Sequence, residues 1–207
     1  MRIGIVSDIH DAVDHLRVAL AALRQHDVDQ VVTLGDAFES CQPGEPGVEV
    51  SRLLDRAGAI GVWGNHDAGL SHEVSTVVHD MADPELLAFA ARLRPQLTLE
   101  GCRFCHIEPW RNPCRAEDLW AFDDVPATDA QTERSFEAVP EKVIFVGHFH
   151  TWLVMRRLAG RVPWDGAGPL ALGPHDRHFV VVAPLVDGWC AVFDTEQLEL
   201  TPIRVTA

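Results

Sequence analysis

Five short apolar runs in this chain each stop at a residue able to hold a metal ion. Gly4-Ile5-Val6-Ser7 leads into Asp8 and His10, Val31-Val32-Thr33-Leu34-Gly35 into Asp36, and Ile60-Gly61-Val62-Trp63-Gly64 into Asn65 and His66. Arg103-Phe104-Cys105 leads into His106, and Val143-Ile144-Phe145-Val146-Gly147 into His148 and His150. Runs of four or five β-branched or aromatic residues read as buried strands. Polar groups just past the C-terminal ends of several strands can converge on one crevice, where open α/β sheets bind ligands. The pattern therefore predicts one polar site assembled from most of the chain.

The spacing between the runs sets the fold class. Asp11–Gln25 carries Val13, Leu16, Leu20 and Leu23 at helical intervals, and Glu49–Arg56 supplies a shorter helix. The first 67 residues thus alternate β-α-β-α-β, which argues for parallel strands with helical crossovers. Gln42–Gly47 and Pro163–Pro174, rich in Gly and Pro, read as loops, the second one exposed. Pro84–Leu93, Ala116–Asp123 and Asp129–Phe136 read as helices, and Leu97–Leu99 with Arg103–Cys105 as a hairpin. Later strands are expected at Val143–Val146, Trp152–Arg156, His178–Val182, Trp189–Phe193 and Leu198–Val205. With no repeat or composition break, residues 1–207 read as a single domain of two sheets packed face to face with helices outside.

Charge narrows the partners. The formal net charge is −14, from 31 acidic and 17 basic residues. Such a surface repels nucleic acid and anionic lipid at long range, so a small substrate is favoured. Two bound divalent ions would still leave the pocket around Asp8 and Asp36 positive. Arg92, Arg94, Arg103, Arg111 and Arg115 form a local basic cluster, the one feature that leaves a nuclease open. No apolar stretch approaches the ~18 residues of a membrane span. Strand residues begin at position 3, so no signal peptide is expected, and the location expected is cytoplasmic. The five irregularly spaced cysteines then read as free thiols.

The donor set defines the chemistry. Asp8 with His10, and His148 with His150, can each grip one ion from a strand end, and Asp36, Asn65 and His106 come singly from three others. A nitrogen and oxygen set without thiolate suits Mn, Fe, Zn or Co. Seven ligands exceed one tetrahedral site but fit two ions sharing a carboxylate, which can clamp a phosphate and activate water.

The ordered set Asp8-x-His10, Gly35-Asp36, Gly64-Asn65-His66-Asp67, His106 and Gly147-His148-x-His150 resembles the calcineurin-like metallophosphoesterases, and most closely their small bacterial phosphodiesterases. The resemblance spans residues 3 to 150. It implies an α/β fold of two packed mixed β-sheets, a β-sandwich flanked by α-helices in four layers. It implies two divalent ions, manganese first, with Fe, Zn, Co or Ni as alternatives. Asp8, His10, Asp36 and His150 would hold one ion, and Asp36 (bridging), Asn65, His106 and His148 the other. Asp36 and His66 would be the catalytic residues. Hydroxide activated by the ions would attack a small phosphate ester while His66 protonates the leaving oxygen. The resemblance implies a phosphodiesterase, with a phosphomonoesterase or a non-catalytic scaffold as alternatives, and leaves the oligomeric state open.

The chain departs from the family in three places. In the phosphoprotein-phosphatase branch an acid three residues past the bridging Asp orients the catalytic His and an Arg follows it; here Glu39 and Ser40 stand there. Val182-Ala183-Pro184-Leu185 replaces the Pro-Gly-Ser turn of small bacterial members, and Ile107-Glu108-Pro109 rather than Gly follows His106. Glu39 is a partner for His66 or a solvated acid, and Asp67 a hydrogen-bonding turn residue. Trp110 and Arg111 line the pocket or form a surface loop, and His72 and Glu73 have a similar claim. Cys102-Arg103-Phe104-Cys105-His106 matches a haem-attachment spacing by accident, since neighbouring strand positions face opposite ways. A structural zinc on Cys102, Cys105 and Cys114 is a weaker alternative. His175 and His178 read as an exposed loop, and His15 and His26 as helix-surface residues.

Overall fold

The computed structural model describes residues 1–121 and 124–207. The chain opens with β1 (Arg2–Val6), α1 (Val13–Gln25), β2 (Gln30–Thr33), α2 (Pro46–Arg56) and β3 (Ile60–Gly61). Three helices follow, α3 (Ala68–Ser71), α4 (Thr76–Met81) and α5 (Pro84–Ala90), then the hairpin β4 (Leu97–Leu99) and β5 (Cys102–Cys105). After α6 (Ala116–Leu119) and α7 (Asp129–Ala138) come β6 (Val143–Val146), β7 (Leu153–Arg156), β8 (Gly160–Arg161), β9 (Leu170–Ala171) and β10 (His178–Val181). A 3₁₀ turn at Leu185–Asp187 leads into β11 (Trp189–Asp194) and β12 (Glu199–Arg204).

The strands form two mixed sheets, β3-β2-β1-β11-β12-β9 and β4-β5-β6-β10-β7-β8. Strands β1, β2 and β3 run parallel, as do β5, β6 and β10. Alternate residues serve different layers, as a period of two requires. In β6, Val143 and Phe145 point between the sheets, and Ile144 and Val146 point out beneath α7. In β11, Ala191 and Phe193 face inward, and Cys190 and Val192 face the layer of α1, α2 and α5. Phe145 joins the sheets, stacking on Phe104 at 5.3 Å and meeting Phe193 edge-on at 5.2 Å. The result is the expected four-layer sandwich, with its central strands buried on both faces.

Several boundaries differ from the sequence reading. Helix α2 begins at Pro46, inside the predicted Gln42–Gly47 loop, because Pro is preorganised for the first helical turn. Helix α5 stops at Ala90, three residues before Leu93, in tight turns at Arg92 and Leu93. Helix α6 ends at Leu119, and Phe122 and Asp123 of the predicted Ala116–Asp123 helix lie outside the described residues. The Pro163–Pro174 loop is not fully exposed: Leu170–Ala171 pairs with β12, and Leu172 is buried between the sheets. His178 is not a loop residue either; it starts β10 and is buried. Helices α3 and α4 had no apolar period long enough to reveal them. Among the described residues no helix is long and apolar enough to cross a membrane.

Candidate metal centre

The parallel strands of both sheets end at one rim, and the polar residues beyond them meet there. Backbone bonds zip the first two loops together: Asp8 N–H donates to the Gly35 carbonyl at 3.0 Å and His10 N–H to that of Asp36 at 3.0 Å. His148 N–H donates to the Asp8 carboxylate at 3.1 Å, which ties the second sheet to the first. Asp8, His10, Asp36, His148 and His150 all take left-handed backbone angles, with φ between 45° and 66°. Non-glycine residues avoid this region, and such strain collects at functional sites. The preceding glycines permit the approach. A Cβ on Gly64 would lie 2.0 Å from Asp36 Oδ1, and one on Gly147 would lie 2.2 Å from Ser7 Oγ.

Two ligand groups result. Asp36, His106 and His148 converge in the interior, joined by Asn65. His106 Nε2 lies 2.9 Å from Asn65 Oδ1, 3.2 Å from His148 Nδ1 and 3.3 Å from Asp36 Oδ2. Asp8, His10 and His150 form the second group, with His150 Nε2 3.4 Å from Asp8 Oδ1 and 3.2 Å from His10 Nε2. Asp36 stands between them. Its Oδ1 accepts the His66 N–H at 2.9 Å, while Oδ2 faces His106 and also lies 4.0 Å from His10 Nε2.

The outer partners fix which nitrogens look inward. His106 Nδ1–H donates to the Leu34 carbonyl at 2.8 Å, so the lone pair of Nε2 faces Asn65 Oδ1 and Asp36 Oδ2. Acceptors that close require a cation between them, a proton or a metal. The His10 Nδ1 side is held by the Glu39 carboxylate, which turns its Nε2 toward His150 and Asp36. The residues present thus fit divalent metal, with Asp36 facing both ligand groups. Glu39 also lies 3.0 Å from His66 Nδ1, so one carboxylate orients both a candidate ligand and the candidate acid. His10, Glu39 and His66 form a third grouping capable of holding an ion. Asp11 positions Glu39 in turn, accepting its N–H at 3.1 Å.

Electrostatics follow burial. The His106 side chain is fully buried, which opposes its charge, but the Asp36 carboxylate outweighs this and lifts it to about 9. Asp36 is held well below the usual carboxylate range, its burial offset by His106 and the His66 N–H. His148 falls to about 4 through burial and the neighbouring His106 charge, against a hydrogen bond with the Ala121 backbone. Asp67 is buried and accepts N–H groups from Ala37 at 3.0 Å, Phe38 at 3.1 Å and Gly64 at 3.1 Å. Burial and the Asp36 charge push it up to about 7. It clamps the Asp36 loop to the Asn65 loop.

The other candidates are placed as follows. Arg111 is buried with its Nε 2.9 Å from Glu108, and the half-buried Trp110 packs against the guanidiniums of Arg111 and Arg134. Arg92, Arg103 and Arg115 pair with Asp55, Glu141 and Glu117, which breaks up the basic cluster. His72 stacks on Trp63 at 5.5 Å. Cys102 packs between the sheets and Cys105 beneath α7, in different layers, and burial pushes both thiols up to about 12. Pro184–Asp187 packs on the site, with Leu185 N–H bonded to the Ser7 carbonyl and Val186 N–H to that of Asp8. A cleft of about 210 Å³ opens there, lined by His150, Trp152, Pro184, Asp187 and Trp189. The sequence reading missed Trp120, whose ring sits 5.3 Å from that of His66. A lone aromatic after a one-turn helix gives no signal of its own.

Comparison with known proteins agrees with this geometry. The family model for the calcineurin-like phosphoesterase superfamily domain matches residues 1–172. The chain belongs to this superfamily. Its members are phosphoesterases, hence hydrolases, and they depend on metal. Among solved structures, a metallophosphoesterase from Sphaerobacter thermophilus is similar over 100% of this chain and 88% of its own, with TM-score 0.77 and 21% identity. A novel archaeal phosphodiesterase has TM-score 0.57 and 15% identity, covering 99% of this phosphoesterase and 100% of itself. A Thermus thermophilus protein, TT1561, has TM-score 0.59 and 13% identity, with 99% of each chain covered. At these identities the likeness is one of fold. No curated protein matches the chain.

Proposed function

We propose that residues 1–207 act as one catalytic domain, a phosphodiesterase whose centre takes two divalent ions. One observation carries the reading: Asp36 stands between two ligand groups, with His66 beside it and oriented by Glu39. Asp8, His10, Asp36 and His150 would hold one ion, and Asp36, Asn65, His106 and His148 the other. Manganese is the first choice, because an Asp, Asn and His set without thiolate suits it. When bound, the ions supply Lewis-acid stabilisation of the phosphoryl charge and acidify water. The chain's own residues do the rest. His66 donates its Nδ1 proton to Glu39, which leaves Nε2 for the leaving oxygen, and as an imidazolium it protonates that oxygen. Asp36 fixes the His66 backbone, so the acid and the ligand groups move as one unit.

A diester is favoured over a monoester by charge. A monoester dianion calls for an extra cation, yet Ser40 replaces the phosphatase Arg, and Arg111 is tied to Glu108. The test compares bis(p-nitrophenyl) phosphate with p-nitrophenyl phosphate, each with added Mn²⁺. Faster turnover of the diester, lost in His66→Ala, is expected. Faster turnover of the monoester would replace the reading with a phosphatase. Turnover of neither ester, with no metal bound, would favour the scaffold.

A further inference from the structure

We propose that Trp120 is the platform on which the departing ester group stacks, so that this site prefers phosphate esters whose leaving alcohol carries a planar aromatic group. The inference rests on the reading of His66 as the general acid. An acid must come within about 3 Å of the oxygen it protonates. The substituent on that oxygen therefore starts beside the His66 ring. Among the described residues, three neighbours bound that ring. His10 meets it edge-on at 5.0 Å from the ligand side, Glu39 holds Nδ1 at 3.0 Å, and Trp120 lies 5.3 Å away. Trp120 is 47% exposed and the His66 side chain 31% exposed, so both rings reach the open side of the centre. A group leaving from His66 toward solvent passes over the indole.

The platform is also held in place. Trp120 N–H closes the α6 turn on the Ala116 carbonyl at 2.9 Å, and the next residue, Ala121, hydrogen-bonds His148 through its backbone. One short segment thus presents the indole and braces the buried ligand group. The charge of the surroundings refines the ligand. With Glu39 beside His66 and a net charge of −14, a neutral aromatic alcohol, nucleoside or aryl, fits better than a second anionic phosphate.

The test uses the metal-loaded protein and three methyl phosphodiesters that differ only in the other alcohol: the methyl esters of adenosine 5′-monophosphate, phenyl phosphate and ribose 5-phosphate. At least one aromatic ester should bind about tenfold more tightly than the ribose ester by calorimetry, as stacking on an aromatic side chain implies. Where an ester is turned over, the same ratio is read in kcat/KM. Trp120→Ala should abolish the preference, and Trp120→Phe should keep most of it. Preference for the nucleotide alone assigns a nucleoside leaving group, and preference for the phenyl ester alone an aryl one. Equal binding of all three by the wild type, binding of none, or a preference that survives Trp120→Ala overturns the proposal. A protein that discriminates in binding but never hydrolyses bis(p-nitrophenyl) phosphate would instead remove the diesterase reading and leave this one standing.

Discussion

Asp36, Asn65, His106 and His148 meet in the interior, whereas His10, Glu39, His66 and His150 meet at the surface. In the first group every side chain is buried, and His106 is locked from outside by a backbone carbonyl that solvent does not reach. In the second, Asp8 is buried, but the side chains of Glu39 and His150 are 42% and 44% exposed, and the lock on His10 is another side chain, Glu39. A ligand group fixed by backbone is preorganised at no further entropic cost on binding, and one fixed by an exposed carboxylate is softer. The interior half should therefore bind its ion tightly and slowly. The surface half should bind weakly, exchange, and carry the proton transfer. Asp36 belongs to both.

Substitution of that shared residue should have the largest effect. Asp36→Asn removes the bridging charge and should lower kcat about 10³-fold or more while reducing metal content at both positions, read by elemental analysis. Loss of one ion with the other retained would show that the halves are independent. The next contrast is His106→Ala against His150→Ala. The first should abolish the tight ion beyond rescue by excess metal, and the second should weaken the loose ion and recover activity in millimolar Mn²⁺. Equal rescue of both variants would erase the distinction between interior and surface.

Glu39→Gln should cost about 10- to 100-fold in activity, the range expected for an outer partner of a metal-binding His. Because Glu39 also faces His66, the variant should move the pH profile of kcat, and a pure loss of metal affinity would leave that profile in place once metal is saturating.

The smallest effect concerns stability without metal. His106 is lifted from its ordinary 6.5 to about 9. Its proton therefore stabilises the metal-free fold fully below pH 6.5, and that contribution vanishes as pH rises through about 9. Asp67, raised from 3.8 to about 7, acts in the same direction over a lower window. The Tm of EDTA-treated protein should fall between pH 6.5 and 9, and the metal-loaded protein should resist that fall because the ion replaces the proton. A metal-free Tm that is flat over this range contradicts the assignment.

The ligands of both halves were legible in the sequence, and the contacts that hold the surface half were not. Asp36, Asn65, His106 and His148 follow apolar runs, and so do Asp8, His10, His66 and His150, so patterning together with the joint ligand set pointed to both groups. Which residues of Val143–Val146 face between the sheets was not readable, because a run apolar at every position carries no alternation. The surface half depends on contacts between loops. Glu39 could be suspected as a partner of His66, but its hold on His10 joins loops 29 residues apart with no periodic signal. Asp67 read as a turn residue and is one, but its clamp across 30 residues depends on tertiary packing. Trp120 and the short helices α3 and α4 were invisible because one turn of helix has no amphipathic period.

If Asp36 serves both ligand groups, two ions must share it. A manganese-soaked crystal, with anomalous differences measured at the metal edge, tests it directly. The account predicts two peaks on either side of Asp36, one among Asn65, His106 and His148 and the other among Asp8, His10 and His150, the second at lower occupancy. A single peak, or a second peak seated on His10, Glu39 and His66, would contradict it.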